Sequence, residues 1–219
     1  MNGSGIGILL FLLLVGGLIG DEILARLLPR WGHPRGKSVV RTLMLVGFAM
    51  YVAILLTVSL TSRERVLAHG ERLAFCGFYL DCHMGVAVEG VERRAFVGDA
   101  RAEGIYHLVA VKVSSDARQA ALQLARPEFS VIDASGRTYS RSPEAEEQLV
   151  TLTGDSIELV RPVPAGESYL TWVVFDLPGQ IQEPRLLVRD VSGVDRVLEA
   201  ILIGDEDSIL HKPTTLSLQ

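Results

Sequence analysis

TLMLVGFAMYVAILLTVSL, residues 42–60, is a stretch without one formal charge. As a helix rising about 1.5 Å per residue it spans roughly 28 Å, close to the hydrocarbon thickness of a bilayer. It reads as a transmembrane helix. Everything after Leu60 is polar enough to fold in water, so this stretch decides where the rest of the chain resides. The expected organisation is a two-helix membrane hairpin over residues 1–60, a polar tether over 61–70 and one soluble domain over 71–219.

Met1 to Gly20 is also free of charged side chains, with an apolar centre at Ile6 to Ile19. A retained helix is the expectation. A cleaved signal peptide would want a basic start and a small-residue cleavage site, and MNGSG and GLIGDE supply neither. A re-entrant or interfacial segment is the third reading. Between the two apolar runs, residues 21–41 carry Arg26, Arg30, Arg35, Lys37 and Arg41. Short loops rich in Lys and Arg stay in the cytoplasm, which places both ends of the hairpin, and the soluble domain, outside. The expected location is therefore the cytoplasmic membrane, with two spans. Gly3-x-x-x-Gly7, Gly16-x-x-x-Gly20 and Ala49-x-x-x-Ala53 have the small-residue spacing that lets membrane helices approach closely. They serve either packing of the hairpin on itself or a homodimer through the membrane helices.

Charge is unevenly shared. Residues 1–60 hold five Lys/Arg against two Asp/Glu, leaving 16 against 24 beyond, so a net −5 chain divides into +3 and −8. A domain at −8 repels phosphate backbones, which argues against nucleic acid as a partner.

From Glu71 onward, short runs of Val, Ile, Leu and aromatic residues alternate with Gly, Pro and Asp, the pattern of β-strands. Strands are expected near 72–78, 84–93, 105–114, 128–133, 138–141, 157–161, 168–177, 185–190 and 214–218. Val109, Val111 and Val113 share one face of the third. The seventh is apolar on both faces, which predicts a central position, with Val173 and Phe175 in the core. Asp133-Ala134-Ser135-Gly136 reads as a hairpin turn, and Ser142-Pro143-Glu144 as the start of a short helix whose Glu144, Glu146 and Glu147 are solvated. Residues 193–203 fit a helical turn or a strand equally well.

LAFCGFYLDCHMGVAVEGVER (73–93), YHLVAVKVSSDAR (106–118), FSVIDASGRTY (129–139) and PAGESYLTWVVFDLP (164–178) together resemble the telokin-like, immunoglobulin-like domain of small bacterial membrane proteins and lipoproteins. The resemblance spans about residues 70–218 and implies a fold and an extracytoplasmic setting. It carries over no catalytic residue. An antibody-type domain would set its two cysteines on facing sheets, far apart in sequence, and this chain does not. The expected fold class is an all-β immunoglobulin-like sandwich preceded by an N-terminal hairpin of two transmembrane α-helices.

Candidate chemistry is sparse. Cys76 and Cys82 bracket GFYLD, long enough to turn the chain back. In an oxidising setting a structural disulfide is expected, with two free thiols or a redox pair as the other readings. The adjacent His83 lacks the further ligands a zinc site needs. Asp205, Glu206 and Asp207, between Gly204 and Ser208, form an acidic turn that is the weak metal candidate, calcium by its oxygen ligands, without the spacing of an EF-hand. His107 and His211 have no nucleophile motif beside them, and Tyr106, Tyr169 and Trp172 read as packing residues. No cofactor and no catalysis are expected. The chain reads as a membrane-anchored, extracytoplasmic interaction module whose partners are the bilayer and another envelope protein. The alternative is a sensor or metal-binding domain using the turn from Gly204 to Ser208, and a thiol oxidoreductase comes third.

Overall fold

The structure, a computed structural model, describes residues 3–27, 36–75, 83–154, 158–190, 200–204 and 208–219. The chain divides into two units, Met1–Arg63 with Arg196–Lys212, and Glu64–Asp195 with Pro213–Gln219.

In the first unit, helix α1 covers Gly3–Leu27 and helix α2 covers Gly36–Thr61. Each contains a window long and apolar enough to cross a bilayer, Gly7–Leu24 and Ser38–Thr61. Their outer surfaces are apolar, with Leu12, Leu13, Leu43, Leu45 and Val46 all exposed. Gly17 is a contact point between them, for a Cβ there would lie 3.2 Å from Met44 Cε. Gly16 and Gly20 instead face open space, and Ala49 and Ala53 are exposed, so these small residues lie away from the α1–α2 contact. Part of the late sequence also belongs to this unit: Ile203 packs with Tyr51, Leu55, Leu10 and Phe11.

The second unit holds two sheets around a shared core. Strands β1 (Arg65–Leu67), β5 (Pro127–Ile132), β6 (Thr138–Ser140), β8 (Arg185–Asp190) and β9 (Thr214–Ser217) form one sheet in the order β1-β9-β8-β5-β6. Strands β2 (Leu73–Phe75), β3 (Met84–Val97), β4 (Ala100–Ser115) and β7 (Ser168–Leu177) form the other, in the order β2-β3-β4-β7. All neighbouring pairs are antiparallel except β1 and β9. Leu67, Val86, Val111, Phe129, Phe175 and Leu186 come from six different strands and meet in one buried cluster, which makes the pair of sheets a sandwich.

Alternation sets which side chains enter that core. Val109, Val111 and Val113 of β4 and Val173, Phe175 and Leu177 of β7 point inward, as period-two spacing requires. In β3 the inward residues begin as Met84, Val86 and Val88, and a register shift between Val88 and Gly90 then turns Val91 toward the core. An added residue on one strand inverts the parity that follows it. Without that shift, alternation from Val88 would turn Gly90 and Glu92 inward in place of Val91.

The expectation of an all-β immunoglobulin-like sandwich is corrected by helix α3, Pro143–Thr153, which packs on the outer face of the second sheet. Its Ala145 and Leu149, one turn apart, close over Tyr106, Leu108 and Val174. The outer face of β4 and β7 was therefore apolar because a helix covers it. Pro143 opens α3 and Gly154, at φ +73°, ends it in the left-handed conformation, donating its N–H to Val150 O at 2.8 Å. Ser142 occupies the N-cap position without a side-chain bond. Glu146 is buried rather than solvated, for reasons given below.

Close backbone approach adds one constraint. A Cβ at Gly104 would fall 2.1 Å from Leu177 O, and Asp176 accepts the N–H groups of Glu103 and Gly104 at 2.7 and 3.0 Å. Gly104→Ala is expected to destabilise the sandwich by about 1–2 kcal/mol, since backbone must move to admit the methyl. Urea unfolding of the full chain in detergent checks it; an unchanged midpoint would place β4 further from Leu177 than described.

Candidate functional site

The acidic turn Asp205, Glu206 and Asp207 lies outside the described residues. Among the described residues no group of three or more His, Cys, Asp or Glu could hold a metal ion. Cys76 and Cys82 also lie outside them, and no Sγ–Sγ pair is present, so the expected disulfide is withdrawn. The spacing allowed a bridge, but the two ends of that connection are joined without one. Phe75 and Met84 are cross-strand partners, and Arg72, just before β2, reaches across to the far end of the connection at His83. Its guanidinium donates to His83 O at 2.7 Å, to Ser114 Oγ at 3.2 Å and to Asp116 Oδ2. Gly85 makes room for it, since a Cβ there would sit 1.9 Å from Arg72 Nε.

The buried titratable groups of the sandwich have structural surroundings. Asp133 accepts from Ser135 N (2.9 Å), Ser135 Oγ (2.6 Å), Arg137 N (3.0 Å), Arg137 Nε (3.0 Å) and Tyr139 Oη (3.1 Å), which locks the β5–β6 turn with Gly136 at φ +82°. The Ser135 hydroxyl above all, with the other donors and against the effect of burial, holds the Asp133 carboxyl far below the ordinary carboxylate range. Tyr169 donates to Leu159 O at 3.1 Å beneath the Arg161 guanidinium, 4.7 Å from the ring centroid.

His107 is 2% exposed, on the inward face of β4 opposite Phe175. Its Nδ1 lies 3.1 Å from Ile105 O, while Nε2 is buried without a partner among the described residues. That geometry suits a neutral ring with the proton on Nδ1. Burial pushes its pKa below the ordinary 6.5, outweighing the Ile105 carbonyl, which acts the other way. The unfolded chain then binds the proton more readily. The stability His107 contributes is full above pH 6.5 and is lost as pH falls through that value toward the folded one. In thermal unfolding of the full chain, His107→Leu is expected to flatten the decline in Tm between about pH 7 and 5; an unaltered slope would show that another group carries it. His211 Nδ1 is likewise buried and without a partner among the described residues.

The feature suited to recognition is an open sheet edge, which the sequence could not assign to a strand. Glu167 O accepts from Ser115 N, so the odd-numbered residues of β7 exchange bonds with β4 and the even-numbered ones point away. Val174 confirms the parity: its N–H donates to Glu146 Oε1 at 3.1 Å, and its carbonyl accepts from Ser142 N at 2.7 Å. The start of α3 thus covers one end of this edge. Toward the other end, the N–H and C=O of Leu170 and Trp172 face outward with no backbone partner among the described residues. Leu170 is 56% exposed and Trp172 half-buried, so an apolar strip runs along the same unpaired backbone.

Sequence reasoning passed over Leu170, because its role depends on which strand ends the sheet. It also passed over Tyr51, although a tyrosine in a charge-free helix is a signal that its hydroxyl has a partner, and it read Gly7 only as a helix–helix packing position.

No protein-family model matches the chain, and no curated protein does. The solved structures it is similar to include the yjhA protein from Bacillus subtilis (13% identity, 70% of this chain and 100% of that one, TM-score 0.43). They include a secreted protein from Mycobacterium tuberculosis (17% identity, 62% and 95%, TM-score 0.44). A third is an uncharacterized beta-sandwich protein from Clostridium difficile (10% identity, 72% and 96%, TM-score 0.41). None of these comparisons ties the chain to the telokin-like domains that its sequence resembles.

Proposed function

We propose that the chain is a membrane-anchored interaction protein of the cell envelope. Helices α1 and α2 span the cytoplasmic membrane with the basic connection inside, following the charge rule for Arg26, Arg30, Arg35, Lys37 and Arg41. The sandwich lies outside and works by holding a partner rather than by catalysis. The observation that carries the reading is the free edge of β7 at Leu170 and Trp172, where an extended segment can add as a further strand. Main-chain bonds to those two residues supply affinity. Leu170 and the half-buried Trp172 ring favour a segment with apolar side chains on the matching face.

Leu170→Pro removes one outward N–H and leaves the β4–β7 ladder intact. With a benzophenone amino acid in place of Ser168, irradiation of intact cells is expected to give a protein adduct that disappears in the Leu170→Pro variant, while unfolding of the domain shifts little. An adduct of undiminished yield in that variant would sink the edge-pairing reading.

A further inference from the structure

The open part of the β7 edge has two fixed ends. The odd-numbered residues of β7 bond to β4, so the N–H and C=O groups of Ser168, Leu170 and Trp172 all point outward, without a backbone partner among the described residues. Beyond Trp172 the lane beside β7 is taken: Ser142 N donates to Val174 O at 2.7 Å, and Arg141 forms an antiparallel bridge with Phe175. Before Ser168 the chain itself turns away, with Gly166 at φ +75° and Glu167 N donating to Pro164 O at 3.1 Å. A strand added here is therefore short, and it must leave the lane before it reaches Val174.

A second β7 meets both conditions. Run antiparallel about a two-fold axis at Leu170, it sets Leu170 opposite Leu170 of the second copy, and Ser168 opposite Trp172 in each direction. Every outward N–H and C=O of these residues then exchanges bonds with the other strand. Opposite Val174 comes Gly166 of the second copy, where that chain has already turned away. Residues 168–172, SYLTW, carry no charge, so a domain at net −8 brings no like charges into register. The edge also lacks the devices that keep sheet edges apart, for 168–172 contain no Lys or Pro and the β4–β7 register runs without a bulge. On the outer face Leu170 packs against its equivalent, and the small Ser168 leaves room for the indole of Trp172.

We propose that the occupant of the β7 edge is a second copy of this chain, with the two β2-β3-β4-β7 sheets joined into one continuous sheet through residues 168–172 about a two-fold axis at Leu170. The inference rests on the reading of that edge as a strand-addition site, and it names the partner. The contact belongs to the sandwich and needs no packing of α1 or α2 on those of the second copy.

The test uses the full chain in native membranes, with Cys76 and Cys82 replaced by serine and one new cysteine placed at Leu170 or at Lys112, its neighbour on β4. Hydrogen-bonded antiparallel partners lie about 5.5 Å apart at Cα, within the reach of a disulfide. The two Lys112 positions, three strand spacings apart, are separated by roughly 14 Å and are out of reach. Mild oxidation is expected to give a disulfide-linked dimer with Leu170→Cys and none with Lys112→Cys. Differently tagged chains carrying Ser168→Cys and Trp172→Cys are expected to crosslink to each other more than either does to itself; an excess of self-crosslinking would place the two-fold elsewhere and overturn the pairing. No dimer with Leu170→Cys, or equal yields at 170 and 112, also overturns it. The benzophenone at Ser168 separates this inference from the reading beneath it. An adduct to a different protein that is lost in Leu170→Pro overturns the second copy and leaves the edge reading standing, whereas no adduct, or one unaffected by Leu170→Pro, overturns both.

Discussion

Phe175→Ala is expected to cost the sandwich about 3–5 kcal/mol, the range for emptying a buried aromatic site. Phe175 is fully buried, it sits in β7 opposite His107, and the cluster around it draws on both sheets. No single neighbour can collapse into the space without leaving its own sheet, which favours the upper part of that range. Urea unfolding followed by Trp172 fluorescence, in a Trp31→Phe background, reads the change. A loss below about 1 kcal/mol would place Phe175 on the surface and imply a one-residue slip of β7 against β4.

Glu146→Ala is the second large effect expected, about 3 kcal/mol. Arg141 Nε donates to Glu146 Oε1 at 2.8 Å, Nη2 donates to Oε2, and Val174 N donates to Oε1 at 3.1 Å. Alanine at 146 leaves the buried Val174 N–H and the Arg141 guanidinium without these partners. The arginine side chain is 30% exposed and can draw on water, so the expected loss lies at the lower end of what breaking a buried pair produces. Glu146→Gln keeps an acceptor for Val174 and should recover a good part of the loss. Equal destabilisation by the two variants would mean that charge, not the hydrogen bond to β7, holds α3 in place.

How legible each element was depended on whether its partner lay nearby. Strands β7 and β8 appear at their expected limits, 168–177 and 185–190, because their apolar runs end at clear Pro and Asp signals. Strand β1 was taken as tether, for Arg65-Val66-Leu67 becomes a strand only beside Thr214–Leu216 at the far end of the chain. The strand expected at 157–161 is missing in its described part, where Leu159 O instead accepts the Tyr169 hydroxyl and Val163 bridges to Leu122. The bulge at Val88–Gly90 left no mark in the composition of β3. Glu146 was read as a solvated first-turn carboxylate because nothing local announces that Arg141 and Val174 converge on it. The apolar outer face of β7 was a readable sign that something covers it, and it was assigned to a central strand position instead. For the candidate site the limit was similar: Leu170 and Trp172 are ordinary strand residues until the strand order makes β7 an edge.

The pairing of β1 with β9 also sets an order of events during synthesis. Strand β1 leaves the ribosome directly after α2, yet its neighbour in the sheet, β9, is made only after every other described strand of the sandwich. Strand β9 sits between β1 and β8, and Leu216 and Leu218 are core residues. Until residues 214–218 emerge, β1 has no strand beside it and the core lacks one wall. A nascent chain that stops before Thr214 should therefore still be sensitive to protease in the sandwich, and resistance should arise abruptly once residues 214–218 have left the ribosome.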